Sequence, residues 1–265
     1  MLFPKLVRLL PAKFRTAVFY KFYRRPKEKN YNLFENASLD FSSGVKMDLF
    51  PSDESHRCIA YTGFYEYQQS ELIANIARNG GLFIDVGANY GYYSLIWASL
   101  NSTNLVHAFE PSPQNFKMLN SNIARNNYGD KIHTHQCSLS NIKDEVFFND
   151  GPKEQTTWGG ICKTETESTR VVQSEKIDNL FDLNSRIDVL KIDTEGADFL
   201  VLCGAERLLK NKLIKNIFFE LNKPRMKLLN LKVEDALKYL DSMDYSCSPI
   251  GALNNEVMEY HAEPR

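Results

Sequence analysis

Short motifs that join glycine to acidic or amide side chains are the residues of this chain best suited to chemistry. The first motif follows an apolar run and consists of Asp85-Val86-Gly87-Ala88-Asn89-Tyr90-Gly91. Gly87 allows a tight turn, and Gly91 lets the following helix approach closely. Asn89 is one of the few other residue types that tolerate left-handed backbone angles. A strand, a turn of this kind and a helix form a nucleotide-type binding site in α/β proteins.

A second acidic residue, Glu110, lies at the end of the next predicted strand. A carboxylate in this position accepts hydrogen bonds from both ribose hydroxyls of an adenosine cofactor. That geometry suits NAD and S-adenosylmethionine alike, but Tyr92 occupies the place of the last glycine in the NAD fingerprint. S-adenosylmethionine has no phosphate, and Asp85 could bind its amino-acid end. The two motifs favour S-adenosylmethionine, and a structural turn with an acid there by chance is the alternative.

A third set of acidic residues, Asp193, Glu195 and Glu220, follows the two later strands of the predicted sheet. A hydroxyl that attacks a methyl group has to lose its proton, and Asp193 or Glu195 could accept that proton as a general base. The three carboxylates could instead hold a hard divalent cation that lowers the pKa of the hydroxyl. The structural alternative is that Glu195 and Asp198 match the dipole of the helix that begins at Ala197.

Residues that would bind a methyl acceptor are predicted on two loops. Trp158 precedes Gly159 and Gly160 in an irregular stretch, where an aromatic face on a closing loop would bind the C–H surface of a sugar ring. Asn222 follows the strand that carries Glu220, and both side chains would border the same site. The alternative for Trp158 is that it only anchors this stretch to the core.

These motifs lie in a regular alternation of strands and helices. The predicted parallel strands cover residues 82–87, 105–110, 132–139, 187–192 and 214–221, and the predicted helices cover residues 92–100, 113–126, 197–209 and 233–243. Such alternation predicts an α/β fold with a doubly wound, mostly parallel sheet. An antiparallel pair at 246–250 and 257–261 would close it. Ligands bind such sheets at the carboxyl ends of the strands, where all three acidic motifs fall.

Length and composition predict one large domain with an N-terminal extension. The chain has 265 residues and a net charge of -1, which argues against a protein that coats nucleic acid. Residues 1–50 are interpreted as a basic and aromatic N-terminal segment. Residues 51–265 are interpreted as the main domain, with a hairpin-like insertion over 141–176. The N-terminal segment either packs on the domain or contacts acidic lipid or a partner.

Cysteine usage and hydropathy indicate the compartment. Five scattered cysteines without CxxC spacing argue against disulfides and structural zinc. No apolar run is long enough to cross a bilayer, and the N-terminus lacks the features of a signal peptide. We therefore expect a cytoplasmic protein, with peripheral membrane contact through the basic segment as an open alternative.

The three motifs resemble the signature blocks of the FkbM family of S-adenosylmethionine-dependent methyltransferases. The resemblance rests on three blocks in the expected order, Asp85-Val86-Gly87-Ala88-Asn89-Tyr90-Gly91, Ala108-Phe109-Glu110-Pro111 and Lys191-Ile192-Asp193-Thr194-Glu195-Gly196-Ala197-Asp198. It extends over residues 60–250 and implies a class I methyltransferase (Rossmann-like) fold. It also implies O-methylation, often of a sugar or another secondary hydroxyl. One departure is Asp198, where the family usually carries Glu.

The resemblance also implies roles for individual residues. Nine positions would line the cofactor site: Glu66, Asp85, Gly87, Asn89, Gly91, Glu110, Pro111, Ser138 and Asp193. Among them, Glu110 would bind the ribose, while Pro111 and Ser138 would border the adenine. Glu66 would help to close the cofactor pocket, and its alternative role is that of a carboxylate that caps a helix.

The sequence therefore predicts an S-adenosylmethionine-dependent O-methyltransferase that acts on a sugar, a glycan or a similar small metabolite. Two alternatives stay open. One is an RNA ribose 2′-O-methyltransferase, whose charged cluster the Lys191, Asp193 and Glu220 set resembles. The other is an inactive scaffold that retains the cofactor. Neither the acceptor, the metal dependence nor the oligomeric state is indicated by these residues.

Overall fold

The N-terminal part of the chain packs on the main domain through two short helices. The computed structural model describes residues 4–24, 31–152, 155, 158–251 and 256–265. The first elements are α1 (Pro4–Val7), α2 (Ala12–Phe22), a 3₁₀ turn (Tyr31–Leu33), β1 (Ala37–Ser38), β2 (Lys46–Met47), α3 (Glu54–Thr62) and α4 (Tyr67–Ala77). Val7, Phe19 and Tyr23 are buried in the core, and the Tyr23 ring stacks on Tyr61 of α3. Residues 1–3 and 25–30 of the predicted basic segment lie outside the described residues.

The next elements form the first half of the predicted alternation and then the insertion. They are β3 (Leu82–Val86), α5 (Tyr92–Leu100), β4 (Leu105–Phe109), α6 (Pro113–Arg125), β5 (Ile132–His135), β6 (Ser138–Leu139), β7 (Asp144–Asn149), β8 (Gly160–Cys162), β9 (Thr169–Glu175) and α7 (Ile177–Leu180). Strands β6 to β9 form a separate four-stranded sheet in the order β6-β9-β7-β8. The predicted insertion is thus built around the antiparallel pair β7 and β9. Residues 153, 154, 156 and 157 of this insertion are outside the described part.

The last third of the chain completes the main sheet. Its elements are β10 (Val189–Ile192), α8 (Asp198–Cys203), α9 (Glu206–Lys210), β11 (Ile217–Asn222), α10 (Lys223–Leu228), α11 (Val233–Ser242), β12 (Tyr245–Ile250) and β13 (Val257–Pro264). The main sheet has the order β12-β13-β11-β10-β3-β4-β5. Neighbouring strands from β11 to β5 are parallel, while β13 is antiparallel to both β11 and β12. The predicted fold class, with its closing antiparallel pair, is confirmed.

The main sheet is buried on both faces, as the continuous apolar strands predict. Successive side chains of β3 point to opposite faces, so Phe83 packs on Trp97 of α5 while Ile84 and Val86 belong to the core under the other face. Both layers therefore hold the ends of β3, β4 and β10 in fixed positions. Within the described residues, no helix has the length and apolar character needed to cross a membrane.

Two predicted elements are wrong in their continuity. The strand predicted over 132–139 divides, because Ser138 and Leu139 pair with β9 in the smaller sheet instead of extending β5. The helix predicted over 197–209 is interrupted at Gly204, whose carbonyl accepts the backbone N–H of Asp178. A Cβ atom at Gly204 would lie 2.1 Å from the carbonyl oxygen of Ser140, so the chain passes too closely here for any other residue.

Candidate functional site

The glycine turn after β3 has the backbone conformation that its residues predict. Gly87, Asn89 and Gly91 all have positive φ angles, of 80°, 49° and 88°. A Cβ atom on Gly87 would lie 2.0 Å from the backbone oxygen of Asp193 at the end of β10. Glycine is therefore required here because the ends of two neighbouring strands touch.

Glu110 fixes this turn to the loop after β4. One carboxylate oxygen accepts the backbone N–H of Asn89 at 2.8 Å, and the other accepts the backbone N–H of Ser112 at 2.9 Å. The side chain is buried. Burial raises the pKa of Glu110 and the two N–H donors lower it, with a net value of about 7. The carboxylate is thus rigid, and each oxygen keeps acceptor capacity for a ligand hydroxyl.

A cavity of about 580 Å³ opens in front of Glu110. Its walls are mostly apolar and include Phe109 of β4, Phe148 of β7 and Ile161 of β8. Pro111 and Ser138 line it as predicted, and the Ser138 hydroxyl donates to the backbone oxygen of Gln173 at 3.2 Å. The volume and the apolar walls suit a planar ring system attached to a ribose. The insertion sheet therefore forms one wall of this cavity.

A second cavity of about 440 Å³, called the polar cavity because Asp85, Lys191 and Asp193 line it, continues from the first, and the two share Gly87, Asn89 and Asp193. Asp85 lines it, is buried, and accepts a hydrogen bond from the Ser94 hydroxyl at 2.6 Å. Burial raises the pKa of Asp85. Acidic and amide groups at this end suit the charged amino-acid portion of a ligand whose ring system occupies the first cavity.

The Asn89 side chain is oriented by His56, a residue that the sequence analysis did not single out. The backbone N–H of Phe50 donates to Nδ1 of His56 at 3.2 Å, so the ring proton sits on Nε2, which lies 3.2 Å from the Asn89 side-chain oxygen. That oxygen also accepts the N–H of Tyr90 at 2.8 Å. Because burial lowers the pKa of His56, the imidazole stays neutral.

Glu66 does not line either cavity, which differs from its predicted place in the cofactor pocket. Its carboxylate accepts hydrogen bonds from Gln69 at 2.7 Å and from the Tyr93 hydroxyl at 2.8 Å. Its φ angle is 41°, a strained conformation for a residue with a side chain. Tyr65, the residue before it, lines the polar cavity instead. Glu66 therefore lies behind the cavity wall. It contacts the cavity-lining Tyr93 by a hydrogen bond, and its charge raises the pKa of Lys191.

Asp193 lines both cavities and is paired with a buried lysine. The ammonium of Lys191 lies 2.9 Å from one Asp193 oxygen and 4.6 Å from the centre of the Tyr93 ring. Burial lowers the pKa of Lys191, but the charges of Asp193 and Glu66 outweigh burial and raise it overall. The other Asp193 oxygen has no hydrogen-bond partner in the described part of the chain. Asp193 thus presents one free carboxylate oxygen to the cavities.

A third and larger cavity of about 1130 Å³ is lined by Glu195, Glu220, Asn222 and Trp158. The Asn222 amide donates to both carboxylates, at 3.3 Å in each case. Burial and the charge of Asp193 raise the pKa of Glu195 to about 8 and that of Glu220 well above its usual value. Burial therefore favours the protonated form of both carboxyl groups.

The strand pairing adds a further carboxylate to this group. Glu259 of β13 lies directly opposite Glu220 of β11 in the antiparallel register. Burial, followed by the charge of Glu66, raises the pKa of Glu259 to about 8. Like charges placed opposite each other destabilise a strand pair, so this arrangement is costly unless a proton or a cation intervenes. We call Glu66, Asp193, Glu195, Glu220 and Glu259 the carboxylate cluster.

The structural role expected for Glu195 and Asp198 belongs to Asp198 alone. Asp198 is buried, and one of its oxygens accepts the backbone N–H of Thr194 at 3.0 Å while the other accepts the backbone N–H of Glu220 at 2.8 Å. This carboxylate joins the loop after β10 to β11. Glu195 has a φ angle of 52° and faces the third cavity. Glu195 contacts the Asn222 amide and, at 3.8 Å, the Arg225 guanidinium, and its place on the third cavity makes it available for binding or catalysis.

Trp158 both anchors its loop and faces the third cavity. The guanidinium of Arg225 lies 5.6 Å from the centre of the Trp158 ring and donates to its backbone oxygen at 3.3 Å. The side chain nevertheless stays 45% exposed. Trp158 thus contacts Arg225 and keeps an exposed face, and its binding of a sugar stays a prediction.

Residues outside the motifs form the opposite side of the third cavity. Phe19, Tyr20 and Arg24 come from α2 and the residues after it, and Ser55 and Tyr65 line both this cavity and the polar one. Tyr65 lies within residues 60–250, over which the family resemblance extends. No motif or spacing in the sequence pointed to the other four residues. The junction between the two cavities is therefore built partly from the first 65 residues.

The described residues contain no group of three or more His, Cys, Asp or Glu side chains arranged to hold a metal ion. Asp193, Glu195 and Glu220, the predicted ligands, do not form such a group. Lys191 pairs with Asp193, and the Asn222 amide lies between Glu195 and Glu220 and donates to both.

Comparisons with known proteins agree with the motifs. A model of the FkbM methyltransferase domain matches residues 85–247, which is more than half of the chain. Methyltransferase sdnD from Sordaria araneosa is 28% identical over 183 residues, covering 57% of this chain and 70% of that protein. The crystal structure of an FkbM methyltransferase from Methylobacillus flagellatus KT is similar with a TM-score of 0.50 and 17% identity, over 69% of this chain and 44% of that chain.

The likeness in structure shows the fold alone, because this chain spans less than half of that structure's length at low identity. The matched residues run from the start of the glycine motif through Glu110 and the Asp193 motif. They therefore include all three motifs on which the family resemblance rests. The chain belongs to the FkbM methyltransferase family.

Proposed function

We propose that this protein transfers the methyl group of S-adenosylmethionine to a hydroxyl of a sugar, a glycan or a similar small metabolite. Membership in a methyltransferase family implies this methyl donor. The observation that carries the proposal is the position of Asp193. It lines both cofactor cavities, and Ser55 and Tyr65 connect the polar one to the larger cavity.

The residues of the two smaller cavities fit the methyl donor. Glu110 would accept hydrogen bonds from both ribose hydroxyls, and the apolar wall with Phe109 and Phe148 would cover the adenine. Asp85 and Asn89 would bind the amino-acid end. When bound, S-adenosylmethionine supplies an electrophilic methyl group on a positively charged sulfur. The carboxylate cluster would stabilise that charge.

Asp193 is proposed to take the proton of the acceptor hydroxyl. Lys191 holds one of its oxygens at 2.9 Å and leaves the other facing the cavity. Glu195, with its pKa of about 8, would donate a hydrogen bond to the acceptor oxygen when protonated. General base catalysis contributes roughly 10²–10⁴-fold, and the rest of the rate would come from positioning and from exclusion of water.

The third cavity favours an uncharged acceptor with several hydroxyls. When ionised, its carboxylates Glu195 and Glu220 would repel phosphate and carboxylate groups, and in either protonation state they would form hydrogen bonds with hydroxyls. The Trp158 ring offers a face for the C–H surface of a sugar. The same carboxylates disfavour RNA, whose phosphates would lie next to the methylated ribose.

Calorimetric titration and turnover test the proposal. Wild-type protein should bind both S-adenosylmethionine and S-adenosylhomocysteine, and Glu110→Ala should lose most of this affinity. Glu167→Ala, at an exposed position of the insertion, serves as the matched control and should bind normally. Turnover is followed as S-adenosylhomocysteine release with neutral glycosides, uronates and RNA. We expect release with neutral glycosides.

Other results would overturn specific parts of the proposal. No heat with either cofactor form on folded protein would exclude the methyl donor. Cofactor binding without release on any hydroxyl acceptor would favour an inactive scaffold. Release with RNA alone would replace the sugar by a ribose 2′-hydroxyl.

A further inference from the structure

The basic residues of α1, α2 and the segment after them divide into two groups with different surroundings. The arginines are tied to the domain. Arg8 donates to the backbone oxygens of Ser38 at 2.8 Å and Ala60 at 2.9 Å, and Arg15 donates to the backbone oxygen of Thr62 at 2.9 Å. Arg24 pairs with Glu54 at 2.9 Å. These arginines therefore hold α1 and α2 in place.

The lysines of α2 have no such role. Lys13 and Lys21 are exposed and form no ion pair with any residue that the structure describes. Their ammonium groups instead lie over the rings of the neighbouring phenylalanines, at 5.2 Å for Lys13 and Phe14 and 5.3 Å for Lys21 and Phe22. Helix α2 contains no acidic residue. Its outer surface therefore carries positive charge that no acidic residue in the described part of the chain neutralises.

Large apolar side chains share this outer surface. Phe14 is 52% exposed and Phe22 is 49% exposed, and Leu9 in the loop between α1 and α2 is 78% exposed. At 100° per residue, Lys13, Phe14 and Lys21 fall on one arc of α2, opposite the buried Phe19, and Phe22 lies beyond the edge of this arc, about 60° from Phe19. We call Leu9, Lys13, Phe14, Lys21 and Phe22 the basic–aromatic surface. Exposed phenylalanine and leucine beside unpaired lysines are the side chains of helices that lie in membrane interfaces.

We propose that the basic–aromatic surface docks on a membrane that contains anionic lipids. Lys13 and Lys21 would meet the lipid headgroups, while Phe14, Phe22 and Leu9 would enter the boundary with the acyl chains. A nucleic acid would satisfy the lysines alone and leave the apolar side chains in water, so lipid is the better match. The arginine anchors allow docking without unfolding of α2. This inference does not depend on the proposed methyl transfer.

Vesicle sedimentation tests the docking with the full chain. We expect wild-type protein to partition onto phosphatidylcholine vesicles containing phosphatidylserine and to stay in solution with pure phosphatidylcholine. Each lysine near an anionic surface contributes about fivefold to binding, so Lys13→Glu/Lys21→Glu should weaken partitioning by at least about twentyfold. Phe14→Ser/Phe22→Ser should also weaken it. Lys232→Glu/Lys238→Glu, at exposed positions near and on α11, should bind like wild type.

Folding and cofactor titration separate docking from structural damage. Both surface variants should keep the wild-type melting temperature and cofactor affinity, because none of their residues lines a cavity. Equal partitioning onto the two vesicle types, or an unchanged Lys13→Glu/Lys21→Glu variant, would overturn the proposal. Binding of a homopolymeric RNA that is lost with the lysines but kept without the phenylalanines would assign the surface to nucleic acid instead.

Discussion

The pair formed by Lys191 and Asp193 gives the sharpest test of the site, because its two partners differ in burial. The Lys191 side chain is 3% exposed, whereas that of Asp193 is 32% exposed. In Asp193→Asn the ammonium of Lys191 stays buried and loses its closest counter-charge. Breaking a buried ion pair from one side costs 3–5 kcal/mol. Glu66 and Asp85 still favour the charged lysine, so we expect the lower end, about 3 kcal/mol.

A double-mutant cycle separates the pair from the folding effect of each residue alone. Lys191→Met removes the buried charge, and the Asp193→Asn/Lys191→Met variant should regain most of the stability that Asp193→Asn loses. For a chain of this size, a loss of about 3 kcal/mol corresponds to a decrease of about 6–12 °C in melting temperature. Urea unfolding and thermal melting of all four proteins measure the coupling.

The exposed pair Lys210 and Glu206 provides the matched control, because both side chains are more than half exposed. Its cycle, with Glu206→Gln and Lys210→Met, should show a coupling of only about 0.3–0.5 kcal/mol. If the changes in unfolding free energy of the Lys191 and Asp193 variants are strictly additive, the buried pair contributes no more coupling energy than this surface pair. That result would refute the reasoning.

Turnover in the same variants tests the proposed base. Both variants that carry Asp193→Asn should lose turnover by roughly 10²–10⁴-fold, including the one whose stability is restored. The affinity for S-adenosylhomocysteine, which lacks the sulfonium charge, should change little, since Glu110 and Asp85 are intact. Unchanged turnover in Asp193→Asn would remove Asp193 as the base, and Glu195→Gln would then be the next variant to measure.

Three further outcomes follow from the geometry. Gly87→Ala should unfold or destabilise the protein by more than about 3 kcal/mol, because its Cβ would lie 2.0 Å from a backbone oxygen, whereas Gly44→Ala, with nothing within 4 Å, should be nearly neutral in thermal melting. The pKa of Glu259 is raised, so its contribution to stability is lost as pH rises through about 8. Glu259→Gln should therefore be more stable than wild type by about 1 kcal/mol at about pH 9, and no more stable than wild type at about pH 5. A positive sulfonium favours ionised carboxylates, so the preference for S-adenosylmethionine over S-adenosylhomocysteine should increase several-fold from about pH 6 to about pH 9 in calorimetric titrations. A ratio of the two affinities that does not change with pH would contradict the placement of the carboxylate cluster near the sulfur.

The cofactor half of the site was predictable because each part of it is local in sequence. A strand, a glycine turn and an acid at the next strand end determine where Gly87 and Glu110 lie, and parallel strands bring those ends to one edge. Ser138 lines the first cavity although its strand was assigned to the wrong sheet. A run of two or three apolar residues predicts an extended strand without saying which neighbour it pairs with.

The acceptor half depends on packing between distant parts of the chain. Nothing in the sequence near Ser55 or Tyr20 indicates that these residues meet Glu220 across a cavity, because no periodicity relates them. The opposition of Glu220 and Glu259 is likewise a matter of register between β11 and β13, and a shift of the register by one residue would have removed it. Glu66 was predicted to close the cofactor pocket, yet its neighbour Tyr65 lines the second cavity instead. The sequence does not show which of two adjacent side chains faces a cavity.

The division of the site between these two halves bears on how the acceptor is chosen. The family match begins at Asp85, whereas Phe19, Tyr20, Arg24, Ser55 and Tyr65 all precede it and line the acceptor cavity. Asp85, Asn89 and Glu110, which are proposed to bind the methyl donor, lie within the matched part, and much of the surface that would select a hydroxyl lies outside it. A relative that shares the three motifs and differs in its first 84 residues should therefore bind the same donor and methylate a different acceptor. Substituting Tyr20, which lines the third cavity and neither of the two cofactor cavities, should accordingly alter KM for the acceptor while leaving the affinity for S-adenosylmethionine unchanged.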